Sequence, residues 1–235
     1  MYMPSHEHPS VGLSLTFISG MINTATYINY QAFATAQTGN LILALSQLYH
    51  QQWDSAGKKI LSLLFFFLGI LLAMWIRDYF LKKNPSFHWR LYLLYGQVFL
   101  YLAFCLPSLQ RHPALIVILI SFLAAIQWQS FDKINGLPYT NLFTTGNLKG
   151  MATSLYDYRT TKEAAAKIRF FHFTRVVIAF ILGCLMTLFW LSFVHVNIFV
   201  AIAGAFFLLA LFRSYWLLRK NGSPKMNNEW IYLVT

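Results

Sequence analysis

The chain has 235 residues, 57% of them hydrophobic and only 11% charged, with 22 Phe and 7 Trp. A soluble domain carries about a quarter charged residues, so the composition excludes an ordinary soluble domain and points to repeated membrane crossings. The net charge of +11 does not imply a nucleic-acid partner, because the basic residues lie between apolar runs, where membrane topology needs them.

Residues 1–10 contain no Lys or Arg, so no cleavable signal peptide is expected. A first span at 11–30 is unusually polar, with Ser14, Thr16, Ser19, Asn23, Thr24, Thr26 and Asn29. Such a helix should face protein or a cavity rather than lipid. Residues 31–37 link it to Thr38-Gly39-Asn40. An almost wholly apolar second span at 60–76 is followed by a basic loop at 77–90, carrying Arg77, Lys82, Lys83 and Arg90. The third span is 91–109. Arg111-His112-Pro113 forms a short connection, with Pro113 suited to a first helical turn. The fourth span, 114–131, ends in Gln127-Trp128-Gln129, and Asn135-Gly136 and Pro138 mark a polar turn after it. A charged stretch at 157–169 precedes the fifth span at 173–194 and the sixth at 196–212. Arg213, Arg219, Lys220 and Lys225 make a basic tail.

The tripeptide Thr38-Gly39-Asn40 recurs as Thr145-Gly146-Asn147. Without gaps, Leu41 then matches Leu148, Ser46 faces Thr153, and Leu48-Tyr49 matches Leu155-Tyr156. Phe66-Phe67-Leu68-Gly69 likewise resembles Phe180-Ile181-Leu182-Gly183, and four residues after each glycine come Ala73 and Thr187, small-xxx-small patterns that let membrane helices approach closely. An internal duplication explains the shared spacing. One integral-membrane domain is therefore expected, made of a first repeat at 1–110, a second at 111–220 and a cytoplasmic tail at 221–235.

Positive charge orients the halves. The basic stretches 77–90 and 157–169 should both be cytoplasmic. Two spans already separate them, so the second Thr-Gly-Asn element should not cross, and the first is read by analogy; Lys58 and Lys59 then lie outside. A helix over 40–50 is roughly 16 Å long at 1.5 Å per residue, against a hydrocarbon core of about 30 Å. The expected fold is all-α: six transmembrane helices as two inverted three-helix repeats, each with a short re-entrant or interfacial helix starting at Thr-Gly-Asn. Inverted repeats with broken helices belong to transporters and channels.

The repeated residues suit binding. Thr38 and Thr145 are placed to cap a helix N-terminus, Gly39 and Gly146 permit close approach, and Asn40 and Asn147 offer donors and an acceptor. With the positive helix end they would form a site for a small polar or anionic solute. The competing reading is that Thr caps, Gly turns and Asn braces the neighbouring loop. Asn23 and Gln127, on spans one and four, are further pathway candidates, or interhelical glue. No carboxylate lies deep in a span, so an acidic proton relay is not expected. Cys105 and Cys184 read as small hydrophobes. Metal-ligand spacings, cofactor motifs, a nucleophile elbow, HExxH and a phosphate loop are all missing, so no enzyme, metal or cofactor is expected. A transporter or channel is the leading expectation, a structural or assembly protein the alternative, with the two short helices entering from opposite sides, N-termini inward. The sequence does not fix an oligomeric state.

Gly20-Met21-Ile22-Asn23, Thr38-Gly39-Asn40, Gln127 and Thr145-Gly146 together resemble the YoaK-type bacterial membrane proteins, a family of unknown function with about six spans. The resemblance covers nearly the whole chain and implies a bacterial inner-membrane location. The chain departs from it at Asn23, where the family carries an acid, and at Ala125-Ile126-Gln127-Trp128-Gln129, where it reads Gly-Leu-Gln-Asn-Ala.

Overall fold

The computed structural model describes residues 5–83 and 88–221; the tail expected at 221–235 lies outside them from residue 222 on. In lipid, the backbone must satisfy its own polar groups, and a helix does so within one segment. The long apolar runs accordingly become α1 (Pro9–Tyr30), α3 (Trp53–Lys83), α6 (Pro113–Ser130), α8 (Ala164–Phe193) and α9 (Ile198–Asn221). These five are long and apolar enough to cross a membrane. Between them lie α2 (Gln37–Tyr49), α4 (Trp89–Ala103), the single turn α5 (Pro107–Gln110) and α7 (Thr145–Thr161).

Three expectations are corrected. The basic stretch 77–90 is mostly helix, since α3 continues to Lys83 and α4 begins at Trp89. The charged stretch 157–169 is likewise the end of α7 and the start of α8, broken only at Lys162, whose φ of 58° is a left-handed helix terminus, and Glu163. Charged residues that are good helix formers carry a helix past the apolar core, and the 31 residues of α3 reach about 46 Å at 1.5 Å per residue. The third span is short: α4 has 15 residues, about 22 Å. Pro107 ends it early, because the residue before a proline avoids the helical region; Leu106 is extended, with ψ of 133°.

The all-α expectation needs one small addition. Lys133–Ile134 (β1) and Leu137–Pro138 (β2) pair as an antiparallel hairpin. Asn135 and Gly136 both have positive φ, 51° and 76°, as a two-residue primed turn requires. The N-terminal 3-10 turn Ser5–Glu7 docks on this hairpin: Asn135 N–H donates to the Glu7 carbonyl at 2.9 Å and Gly136 N–H to its carboxylate at 2.8 Å.

The helices pair selectively. α1 lies on α8 and α3 on α6; α2 packs on α3 and α7 on α8; α4 packs on α9. Bare glycines set the two long crossings. A Cβ at Gly183 would strike the Phe17 backbone, one at Gly20 the Phe180 carbonyl, and one at Gly69 the Phe122 carbonyl. Between α1, α4, α6 and α9 lies the main core, where Tyr101, Phe104, Phe199 and Phe206 stack.

Candidate functional site

Two irregular loops, 31–36 and 139–144, lead into α2 and α7, and they meet. Thr35 Oγ1 donates to the Leu142 carbonyl at 2.8 Å. Asn23, on α1, binds both loops: its Nδ2 is 2.5 Å from Thr35 Oγ1, 2.9 Å from the Leu142 carbonyl and 3.1 Å from the Ser19 carbonyl. Two of these partners are carbonyls, so the amide nitrogen must face them. Asn23 Oδ1 is then a buried acceptor without a partner among the described residues, as are Asn141 Oδ1 and Thr144 Oγ1. Gln127 reaches the same centre through Ser19, its Nε2 lying 3.4 Å from Ser19 Oγ. Ser19, Asn23, Thr35, Leu142 and Gln127 are all buried, and none of the five is ionisable.

The two repeated Asn residues make matching bonds. Asn40 Oδ1 accepts from Phe33 N–H at 2.9 Å and its Nδ2 donates to the Phe33 carbonyl. Asn147 Oδ1 accepts from Thr140 N–H at 3.1 Å and its Nδ2 donates to the Thr140 carbonyl at 2.7 Å. Each Asn thus pins the residue seven positions before it, which holds each loop folded back against the first turn of its helix. Asn40 also lies 3.4 Å from Ser62 Oγ, which shares a 2.6 Å hydrogen bond with Ser121.

Of the residues singled out by sequence, Asn23 and Gln127 come together. Asn40 and Asn147 are buried but engaged with their own loops. Thr38 and Thr145 do not cap: the N-cap positions are Ala36 and Thr144, and neither N-cap side chain makes a capping hydrogen bond. Thr38, Thr145 and Gly146 are exposed, and Gly39 is half-buried under the Phe33 ring. The threonine expectation fails because α2 starts one residue earlier than the motif and α7 starts on it, so both hydroxyls lie inside the first turn. Thr35 and Ser19 are the partners not assigned to the site by sequence. The only signal was their polarity beside apolar runs.

Chemically, the centre offers amide and hydroxyl groups to a polar partner. Among the described residues, no three His, Cys, Asp or Glu side chains converge as a metal site. The chain matches the family model described as a protein of unknown function (DUF1275) over residues 11–212, and the YoaK-type proteins fall within it. No curated protein and no solved structure matches the chain.

Proposed function

We propose that this chain, which belongs to the DUF1275 family, is a multi-pass carrier of the bacterial inner membrane that moves a small polar or anionic solute. In this reading it is two inverted halves, α1–α4 and α6–α9, with its C-terminus in the cytoplasm. The observation that carries the proposal is the Thr35–Leu142 hydrogen bond. It joins the loops that feed two helix N-termini whose N-cap side chains make no capping bond, and helix-start N–H groups left open call for water, a solute or polar side chains. The pairing of helices supports the two halves: exchanging them turns α3 on α6 into α8 on α1, turns α2 on α3 into α7 on α8, and leaves α4 on α9 unchanged.

The centre is closed, since Asn23, Asn40, Gln127 and Asn147 are buried. An open channel therefore does not suit this conformation, whereas a carrier passes through closed states. A second reading has its own support. Asn40 and Asn147 spend their amides on Phe33 and Thr140, as a purely structural protein would have them do.

The test is uptake by vesicles with and without the protein, over a panel of carboxylates, phosphate, amino acids and sugars. A carrier accumulates or exchanges at least one of them, and loses this when Asn23 becomes Ala under conditions where the variant still folds. No uptake of any solute by well-folded protein favours the structural reading.

A further inference from the structure

The end of α1, the first two turns of α3 and the start of α6 line an open-mouthed cavity of about 590 Å3. Its wall carries the cations Lys58, Lys59 and Arg111, and His112 and Ser55 add hydrogen-bonding groups. Asp54 is the nearby carboxylate, and Lys58 pairs with it. Lys59 and Arg111 form no ion pair among the described residues.

Lys59 is the telling residue. It is only 8% exposed, and no hydrogen bond reaches its ammonium among the described residues. A lysine that merely snorkels keeps its head in water. Lys59 instead lines the cavity with most of its surface buried, and an uncompensated charge there is costly. An entering anion removes that cost. Arg111, just before α6, lines the same cavity, and a guanidinium fork suits two oxygens of one group.

We propose that this cavity binds an oxyanion, a phosphate or carboxylate group, with Lys59 and Arg111 carrying the charge and Ser55 and His112 adding hydrogen bonds. As the entry point for a carried solute, the site rests on the carrier reading. As a binding site, it does not. The oxyanion can come from a free solute or from a phospholipid headgroup.

The experiment uses the purified full-length chain, stripped of lipid in a neutral detergent. Equilibrium dialysis with labelled inorganic phosphate, and separately with succinate, measures solute binding. A parallel arm reconstitutes the protein in phosphatidylcholine vesicles with or without phosphatidylglycerol and counts lipid retained on re-extraction. Saturable binding of either solute is expected. It should weaken at least tenfold in Lys59→Met and Arg111→Gln, survive in Lys59→Arg, and be unchanged in Lys167→Gln on α8. If neither solute binds but phosphatidylglycerol is retained and lost in the same two variants, the headgroup is the source of the oxyanion and the site stands. Equal binding by the wild type and both variants overturns the proposal, as does the absence of all three ligands from the wild type. Arg111 is exposed, so its variant keeps the test decisive if Lys59→Met does not fold. Binding without uptake removes the carrier reading alone; uptake with binding indifferent to both variants removes this site alone.

Discussion

Thr35 and Leu142 stand 107 residues apart and touch, the Thr35 hydroxyl donating to the Leu142 carbonyl at 2.8 Å. The same separation relates Asn40 to Asn147 and their partners Phe33 to Thr140. In the proposed pair of inverted halves, Thr35 and Leu142 are corresponding points of the two loops. In a carrier this contact must part during the cycle. Thr35→Cys with Leu142→Cys, joined by a short bifunctional thiol reagent, should cross-link in high yield and stop uptake, with activity restored when a cleavable linker is cut. Full uptake in the cross-linked protein counts against movement at this point.

Asn23 binds both loops at once and should matter more than either Asn of the motif. Intramembrane hydrogen bonds contribute about 0.6–2 kcal/mol each. Asn23→Ala removes two N–H donors from a buried cluster of three acceptors, so it should lower unfolding stability in detergent by about 2 kcal/mol or more, at the upper end for one buried polar truncation. Asn40→Ala and Asn147→Ala should each cost about 1–2 kcal/mol, by similar amounts because their bonds match. A clear loss for one and none for the other would break that equivalence.

The glycine crossings make a sharper steric prediction. Gly183→Ala drives a methyl into the Phe17 backbone, which cannot yield as a side-chain end does. Overpacking of this kind costs about 1–3 kcal/mol, and separating α1 from α8 should lower thermal stability accordingly. Gly204→Ala on α9, where an added Cβ meets nothing within 4 Å, should be neutral or stabilising by about 0.5–1 kcal/mol.

Acid should weaken the N-terminal docking. Burial first, then the nearby charges of Arg90, Arg213 and Lys133, push the His6 imidazole down from 6.5 to about 3. Between those values the unfolded chain takes up a proton that the folded chain refuses. Stability from this group is thus complete above pH 6.5 and falls as pH drops through the window. Unfolding followed at pH 8, 6 and 5 should show this loss in the wild type and a flatter profile in His6→Gln. Parallel profiles would remove His6 as the cause.

Much of the architecture was legible because long apolar runs must become helices in lipid, and α1, α6 and α9 begin within two residues of expectation. The ends were less legible. Charged Arg77–Lys83 continues α3, since nothing in those residues breaks a helix, whereas a single Pro107 shortened α4. At the candidate centre, the motif drew attention to residues 38–40 and 145–147, but the contact between halves falls at Thr35 and Leu142. Thr35 is one polar residue in a mixed loop, and Leu142 acts through its backbone carbonyl, which no side-chain pattern reveals. Asn40 and Asn147 were legible as polar residues with two candidate roles, and in the structure each amide bonds to its own loop, at Phe33 and Thr140.

The most direct test of the central claim is a pair of distances. In a background free of Cys105 and Cys184, spin labels are placed at Thr38 with Thr145, and separately at Tyr49 with Tyr156, all four sites being exposed. Pulsed electron paramagnetic resonance then measures each separation. Two short helices that enter from opposite sides with their N-termini inward predict a shorter Thr38–Thr145 distance than Tyr49–Tyr156 distance. A longer Thr38–Thr145 distance would mean that the helix starts face the membrane surfaces, where water satisfies them, and the shared central site would be contradicted.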